Sequence, residues 1–237
     1  MIWITNKHIL FIHNPKCAGT AMHRLLLKNY PTSEIYWGRF YSSKLDEIID
    51  LTHLSINNIS NILNISHPFK SFGFVRHPQD RFVSAYWHLK VNNKSLDSLS
   101  MEDLAFDLLD EERIRFDWKF IHFSPQYRFF FEKSQLKVNY LWKIEAIQSI
   151  WPDICNFLDI KDDLKPDNVR VNCPILPISD RLNSRIALLY ARDFELLKYN
   201  PIEIMNNDEF NSPCLYPNYT NLWPERRHIE ITDRYKR

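Results

Sequence analysis

Ile9-Leu10-Phe11-Ile12 is an unbroken apolar run that feeds directly into His13-Asn14-Pro15-Lys16-Cys17-Ala18-Gly19. A short apolar run without alternation reads as a strand buried on both faces, the kind a parallel sheet contains. Thr20 then opens a helix expected to reach about Lys28, with Met22, Leu25 and Leu26 on its inner face. Strand, tight loop and helix in this order form the first part of a βαβ unit. The expected fold is therefore α/β, with helices covering a largely parallel sheet.

The rest of the chain continues this reading. Asp50 to Ile56 is expected as a second strand or strand end, Ser71 to Val75 as a third strand, and Val138 to Trp142 as a fourth. Pro78 sits where a helix can begin without losing a hydrogen bond, and that helix is expected to run to about Leu89. It carries two stripes: Phe82, Ala85, Tyr86 and Leu89 are apolar, and His77, Arg81, Ser84 and His88 recur at helical spacing on another line. Residues 100–112, with Ser100 as N-cap, Glu145 to Leu158, and Ser179 to about Arg192 read as further helices. The length of 237 residues suits one domain. Residues 1–205 are expected to form it, with 206–237 as an irregular C-terminal extension packed on the same domain.

The formal net charge is +1, so no global basic field exists to hold nucleic acid or an anionic membrane. An anionic ligand must be held by locally placed Arg, Lys and backbone amides. The four cysteines, Cys17, Cys155, Cys173 and Cys214, show neither CxxC pairs nor zinc spacing with His. No metal site is expected, and a reducing, cytoplasmic setting is. Residues 1–12 lack the pattern of a secretion signal, and no stretch approaches the roughly 18 apolar residues of a membrane span.

Two segments carry chemistry. Pro15-Lys16-Cys17-Ala18-Gly19-Thr20 lies between a strand and a helix, where unpaired amides and the positive end of the helix dipole bind phosphate or sulfate. Gly19 lets backbone approach an oxyanion, Thr20 adds a hydroxyl donor and Lys16 adds a charge. The loop is not a Walker A motif, in which the lysine follows the last glycine. The plainer alternative is a strand-to-helix turn with a surface lysine. The second segment is Arg76-His77-Pro78 through Ser84-Ala85-Tyr86. Arg76 lies at the carboxyl end of a strand, where open α/β sheets bind ligands, and Ser84 lies on the following helix. The pair could grip one more phosphate. The plainer alternative pairs Arg76 and Arg81 with Asp80 on the surface.

In this order the two segments resemble the sulfotransferase superfamily, in the style of its carbohydrate enzymes, both Golgi and bacterial. His13 to Thr20 is similar to the family's 5′-phosphosulfate loop. Arg76 to Ser84 is similar to its 3′-phosphate motif, with the same step from Arg to Ser. Tyr140 to Glu145, and Tyr190 to Phe194 with Tyr199, resemble its later segments, so the likeness spans roughly residues 9–200. It implies a P-loop-like parallel sheet flanked by helices on both faces. It also implies the donor 3′-phosphoadenosine 5′-phosphosulfate, the product adenosine 3′,5′-bisphosphate, and a hydroxyl acceptor of carbohydrate type. Lys16, Cys17, Ala18, Gly19, Thr20, Ala21, Arg76 and Ser84 would hold the donor. The family usually has Thr where Cys17 stands and often Ser where Ala21 stands. These departures remove side-chain donors and leave backbone amides.

Sulfuryl transfer needs a base for the acceptor hydroxyl, and histidine titrates near neutrality. Among nine histidines, His53 resembles the family's base, which follows the second strand, and His122 is the second candidate. His13 reads as loop-orienting and His77 as packed near the nucleotide. Lys16 would offset charge on the leaving oxygen. The resemblance also implies Gln126 and Arg128, with His122, as candidate acceptor contacts, and Lys119, Arg128, Lys133, Arg226 and Arg227 could add a basic cleft. The picture is a cytosolic bacterial enzyme acting on a glycan precursor, a lipid-linked sugar or a small metabolite. The rival readings are a nucleotide-binding kinase and an inactive relative that binds the donor without turnover.

Overall fold

Ile9 to Ile12 and Phe72 to Val75 carry no polar side chain because both run through the interior of one sheet. The computed structural model describes residues 1–43, 46–63, 65, 68–93, 98–162 and 178–201. Its strands are β1 (Ile2–Ile4), β2 (Ile9–Ile12), β3 (Glu34–Ile35), β4 (Arg39–Ser42), β5 (Glu47–Asp50), β6 (Lys70–Val75), β7 (Phe131–Glu132), β8 (Gln135–Leu136) and β9 (Tyr140–Lys143). Its α-helices are α1 (Gly19–Asn29), α2 (Ile56–Ile62), α3 (Pro78–Asn92), α4 (Met101–Asp103), α5 (Glu111–Phe116), α6 (Tyr127–Phe130), α7 (Ile147–Leu158), α8 (Asp180–Leu189) and α9 (Ala191–Leu197). The described residues belong to one compact unit, Met1–Asp167 with Ile175–Met205. A second unit, Asn168–Pro174 with Asn206–Arg237, lies outside the described residues. So do the expected C-terminal extension, Arg226 and Arg227.

The main sheet has five strands in the order β3-β1-β2-β6-β9. Strands β2, β6 and β9 run parallel, with Phe11 opposite Phe72 and Phe74 opposite Trp142. Strand β1 runs antiparallel to both β2 and β3, so the sheet is mixed and not wholly parallel. The sequence reading missed β1 because three residues are too few to show a period. The chain reverses through a left-handed His8, φ 54°, before β2.

Helices cover both faces. On one, Phe11, Phe72 and Phe74 pack with Met22, Leu25 and Leu26 of α1 and with Ile154 and Leu158 of α7. On the other, Gly73 leaves room for Phe130 of α6; a Cβ at Gly73 would overlap that ring. A second core joins α3, the 101–109 segment and α8 through Phe82, Ala85, Tyr86, Leu104, Leu182, Ile186 and Tyr190.

Three expectations change. The Asp50–Ile56 segment is not a strand of the main sheet: Asp50 ends β5, which among the described residues pairs only with β4, and a turn leads to α2. The expected 100–112 helix starts with a Ser100 capping box, passes into a π turn over Leu104–Leu108 and stops. Asp110 then accepts from the Arg113 amide and starts α5, because a side-chain cap favours a fresh helix start. The helix expected over 179–192 breaks at Tyr190 into α8 and α9.

Candidate functional site

Parallel pairing of β2 with β6 brings both candidate anion-binding segments to the same end of the sheet. Ile12 lies opposite Gly73, so the loop after β2 and the Val75–Arg76 exit from β6 leave side by side. Within the first loop Lys16 (φ 64°) and Ala18 (φ 56°) are left-handed, and Cys17 between them is not. Alternation of this kind turns successive amides toward one concavity. Ala18 is the N-cap of α1, and no side chain caps that end. The first amides of α1 are thus left for an anion.

The side chains of the loop divide by direction. Lys16, Ala18 and Thr20 are partly exposed, and Ala21 is buried. Cys17 is 2% exposed and points inward. Its Sγ takes a hydrogen bond from Asn14 Nδ2 at 3.2 Å and lies 3.4 Å from Gln126 Oε1. Burial pushes the Cys17 thiol up to about 12, so only the backbone of Cys17 can serve a ligand. Gly19 differs from its expected use. The space a Cβ would take there is filled by the His13 imidazole, so the glycine makes room for that ring.

Arg76 is partly exposed at the end of β6, and Ser84 lies inward on α3 at 9% exposure. Arg81, between them on the helix, is not a surface partner of Arg76. It is fully buried, donating from Nη1 to His122 O at 3.0 Å and from Nη2 to Ser124 O at 2.7 Å. His77 caps α3. Its amide donates to Glu145 Oε1 at 2.6 Å, and its ring packs against Phe194 and Tyr199.

His53 sits in the turn between β5 and α2, 9% exposed. Asp50 Oδ1 accepts from the amides of Thr52 and His53, which shapes that turn. His53 Nδ1 lies 2.9 Å from the His13 carbonyl. A carbonyl only accepts, so Nδ1 carries the proton and Nε2 is left as the basic nitrogen. The His53 ring touches His13 at 4.6 Å and His122 at 5.4 Å between centroids. His122 in turn meets His88 of α3 at 4.3 Å. The Lys16 charge is felt at His88 and His122. Arg39, held to Asp50 at 3.1 Å and lying over the Trp118 ring at 4.5 Å, is felt at His53 and His122.

Of the candidate acceptor contacts, His122 joins this cluster. Arg128 lies further along, with Nη1 donating to Ser124 Oγ at 3.1 Å and its guanidinium over Phe116. Gln126 does not fit that role, being 0% exposed with its amide occupied by backbone and Asn14. Sequence reasoning gave no role to Asp50, to His23, whose ring centroid lies 5.1 Å from that of His13, or to Asp193, which accepts from the amides of Gln126 and Tyr127 more than sixty residues away. Among the described residues no group of three or more His, Cys, Asp or Glu is placed to hold a metal ion. No helix there is long and apolar enough to cross a membrane.

The profile of the sulfotransferase family matches residues 1–200. The chain belongs to the sulfotransferase family. No curated protein matches it. Among solved structures it is similar to a sulfotransferase from Alicyclobacillus acidocaldarius, at 17% identity and a TM-score of 0.39, over 83% of this chain and 87% of that one.

The histidine cluster of this family member has a further property. Burial above all holds His13, His23 and His122 well below the ordinary imidazole value, lowers His53 to about 4 and lowers His88 to about 3. In the unfolded chain these groups bind protons near pH 6.5. Between that value and about 4 the unfolded state therefore holds more protons than the folded one, and stability falls as pH drops. His53 alone accounts for on the order of 3 kcal/mol over the whole window. The melting temperature is expected to fall by several degrees between pH 7 and pH 5, where most carboxylates stay ionised. A flat melting temperature over that range, followed by scanning calorimetry, would contradict the neutral cluster.

Proposed function

We propose that the protein transfers a sulfuryl group from 3′-phosphoadenosine 5′-phosphosulfate to a hydroxyl of a carbohydrate or glycan-like acceptor. The observation that carries this reading is the parallel β2–β6 pairing, which brings the start of α1, uncapped by any side chain, to the same end of the sheet as Arg76. Backbone amides from Lys16 to Ala21 and the Thr20 hydroxyl hold the 5′-phosphosulfate. Arg76 and Ser84 hold the 3′-phosphate.

The donor supplies an activated sulfuryl group. The acceptor oxygen bonds to sulfur, the bond from sulfur to the 5′-phosphate oxygen breaks, and the hydroxyl proton passes to His53 Nε2. Lys16 offsets the charge left on the phosphate. His122 and Arg128 lie on the acceptor side. The chemistry asks for no metal ion and no nucleic acid partner, in keeping with a net charge of +1.

The test uses product. Adenosine 3′,5′-bisphosphate is expected to raise the melting temperature several degrees more than adenosine 5′-monophosphate at equal concentration. Arg76→Ala removes a charge-assisted hydrogen bond worth about 1.5–3 kcal/mol and is expected to lower bisphosphate affinity ten- to a hundredfold. Equal stabilisation by the two nucleotides would return the 3′ motif to a surface role. Bisphosphate binding with no transfer to a panel of methyl glycosides and oligosaccharides would favour an inactive relative.

A further inference from the structure

Gln126 lies between the two anion-binding segments and is bonded to both. Its Oε1 accepts from Asn14 Nδ2 at 3.0 Å and from the Arg76 amide at 2.9 Å. Its Nε2 donates to the Arg76 carbonyl at 2.7 Å. Asn14 also donates to Phe74 O at 2.9 Å, so the start of the first loop, the end of β6 and the Arg76 backbone meet at one amide.

The segment that presents Gln126 is held by buried groups. Arg81 takes the carbonyls of His122 and Ser124, and Tyr190 Oη donates to Phe123 O at 2.9 Å. The carboxylate of Asp193, fully buried, accepts from the amides of Gln126 and Tyr127, both at 2.8 Å. Burying a guanidinium and a carboxylate is costly unless each is satisfied. Here both are directed at the stretch that carries Gln126. A stretch needed only to fill space could be held by apolar side chains.

We infer that Gln126 is a positioning residue that sets the distance between the 5′-phosphosulfate loop and Arg76, so that one nucleotide engages both. The inference rests on the reading under Proposed function. It acts through avidity: two anion sites at a fixed spacing bind a bisphosphate far better than either binds a monophosphate. Loosening the spacing lowers the joint affinity and leaves each separate site nearly as it was.

The experiment compares binding of adenosine 3′,5′-bisphosphate, adenosine 5′-monophosphate and adenosine 3′-monophosphate by calorimetry, in the wild type, Gln126→Met and Asn14→Ala. Methionine fills a similar volume without the hydrogen bonds, and Asn14→Ala cuts the same link from the loop side if the first variant does not fold. Bisphosphate affinity is expected to fall about ten- to a hundredfold in either variant, with each monophosphate changing less than about threefold. An unchanged ratio of bisphosphate to monophosphate affinity overturns the inference, as does an equal loss for all three ligands, which marks a structural role alone. A wild type that does not prefer the bisphosphate overturns the proposed function instead.

Discussion

His53→Asn is expected to lower turnover by about 10²–10⁴-fold, the scale of a positioned acid–base group, and to leave the affinity for adenosine 3′,5′-bisphosphate within about threefold of wild type. Asparagine can keep the hydrogen bond that Nδ1 makes to the His13 carbonyl, so the turn between β5 and α2 is retained while the basic nitrogen is lost. Turnover is measured with radiolabelled donor and the best acceptor of a saccharide panel, per folded molecule. The pH profile gives an independent reading. A base must be unprotonated to act, and burial holds His53 to about 4. In the unliganded enzyme the acid limb of kcat/KM is therefore expected near that value, below the ordinary imidazole range, with activity falling as pH falls through it. Turnover near wild type in His53→Asn would leave His53 as a brace for the first loop and make His122 the next candidate.

Gly19→Ala is expected to damage both stability and donor binding. The added Cβ overlaps the His13 ring. That ring has nowhere to go, being buried among Phe11, His23, Trp37 and His53. Overpacking at such a site costs about 1–3 kcal/mol, or roughly 2–10 °C in melting temperature for a domain of this size. Displacing His13 also moves the carbonyl that orients His53 and the loop that precedes α1. A fall of at least tenfold in bisphosphate affinity should follow. The double variant Gly19→Ala/His13→Ala separates the causes: removing the ring should restore a good part of the stability lost in Gly19→Ala, a non-additivity expected of residues in contact. Wild-type melting temperature and affinity in Gly19→Ala would refute the close-contact account.

The candidate site was legible in the sequence where its signals are local. The first loop is recognisable because an apolar run, one glycine and a helix start follow each other within about a dozen residues. The Arg76–Ser84 segment is recognisable because Pro78 marks a helix start and Val75 a strand end. The placement of His53 was only half legible. Leu51-Thr52-His53-Leu54 looks extended, but Asp50 draws the Thr52 and His53 amides onto its carboxylate and makes a turn. Gln126 was read as an acceptor contact on the family resemblance, and nothing near it in sequence shows that its amide is already taken.

The sequence by itself determined the βαβ start, the order of the two anion-binding segments and membership of a sulfotransferase-like family. The first two follow from apolar periodicity, helix-start chemistry and spacing among near neighbours, and the third from the resemblance carried by residues 13–20 and 76–84. The tertiary structure alone decided which side chains meet. His53 reaches the His13 carbonyl across a separation of 40 residues, and Gln126 reaches Asn14 across 112. It decided that Gly19 yields its space to an imidazole, that Arg81 is buried under the 122–127 stretch, and that β1 makes the sheet mixed. Contacts of this kind depend on how strands are ordered and helices are packed, and local propensity carries no information about them.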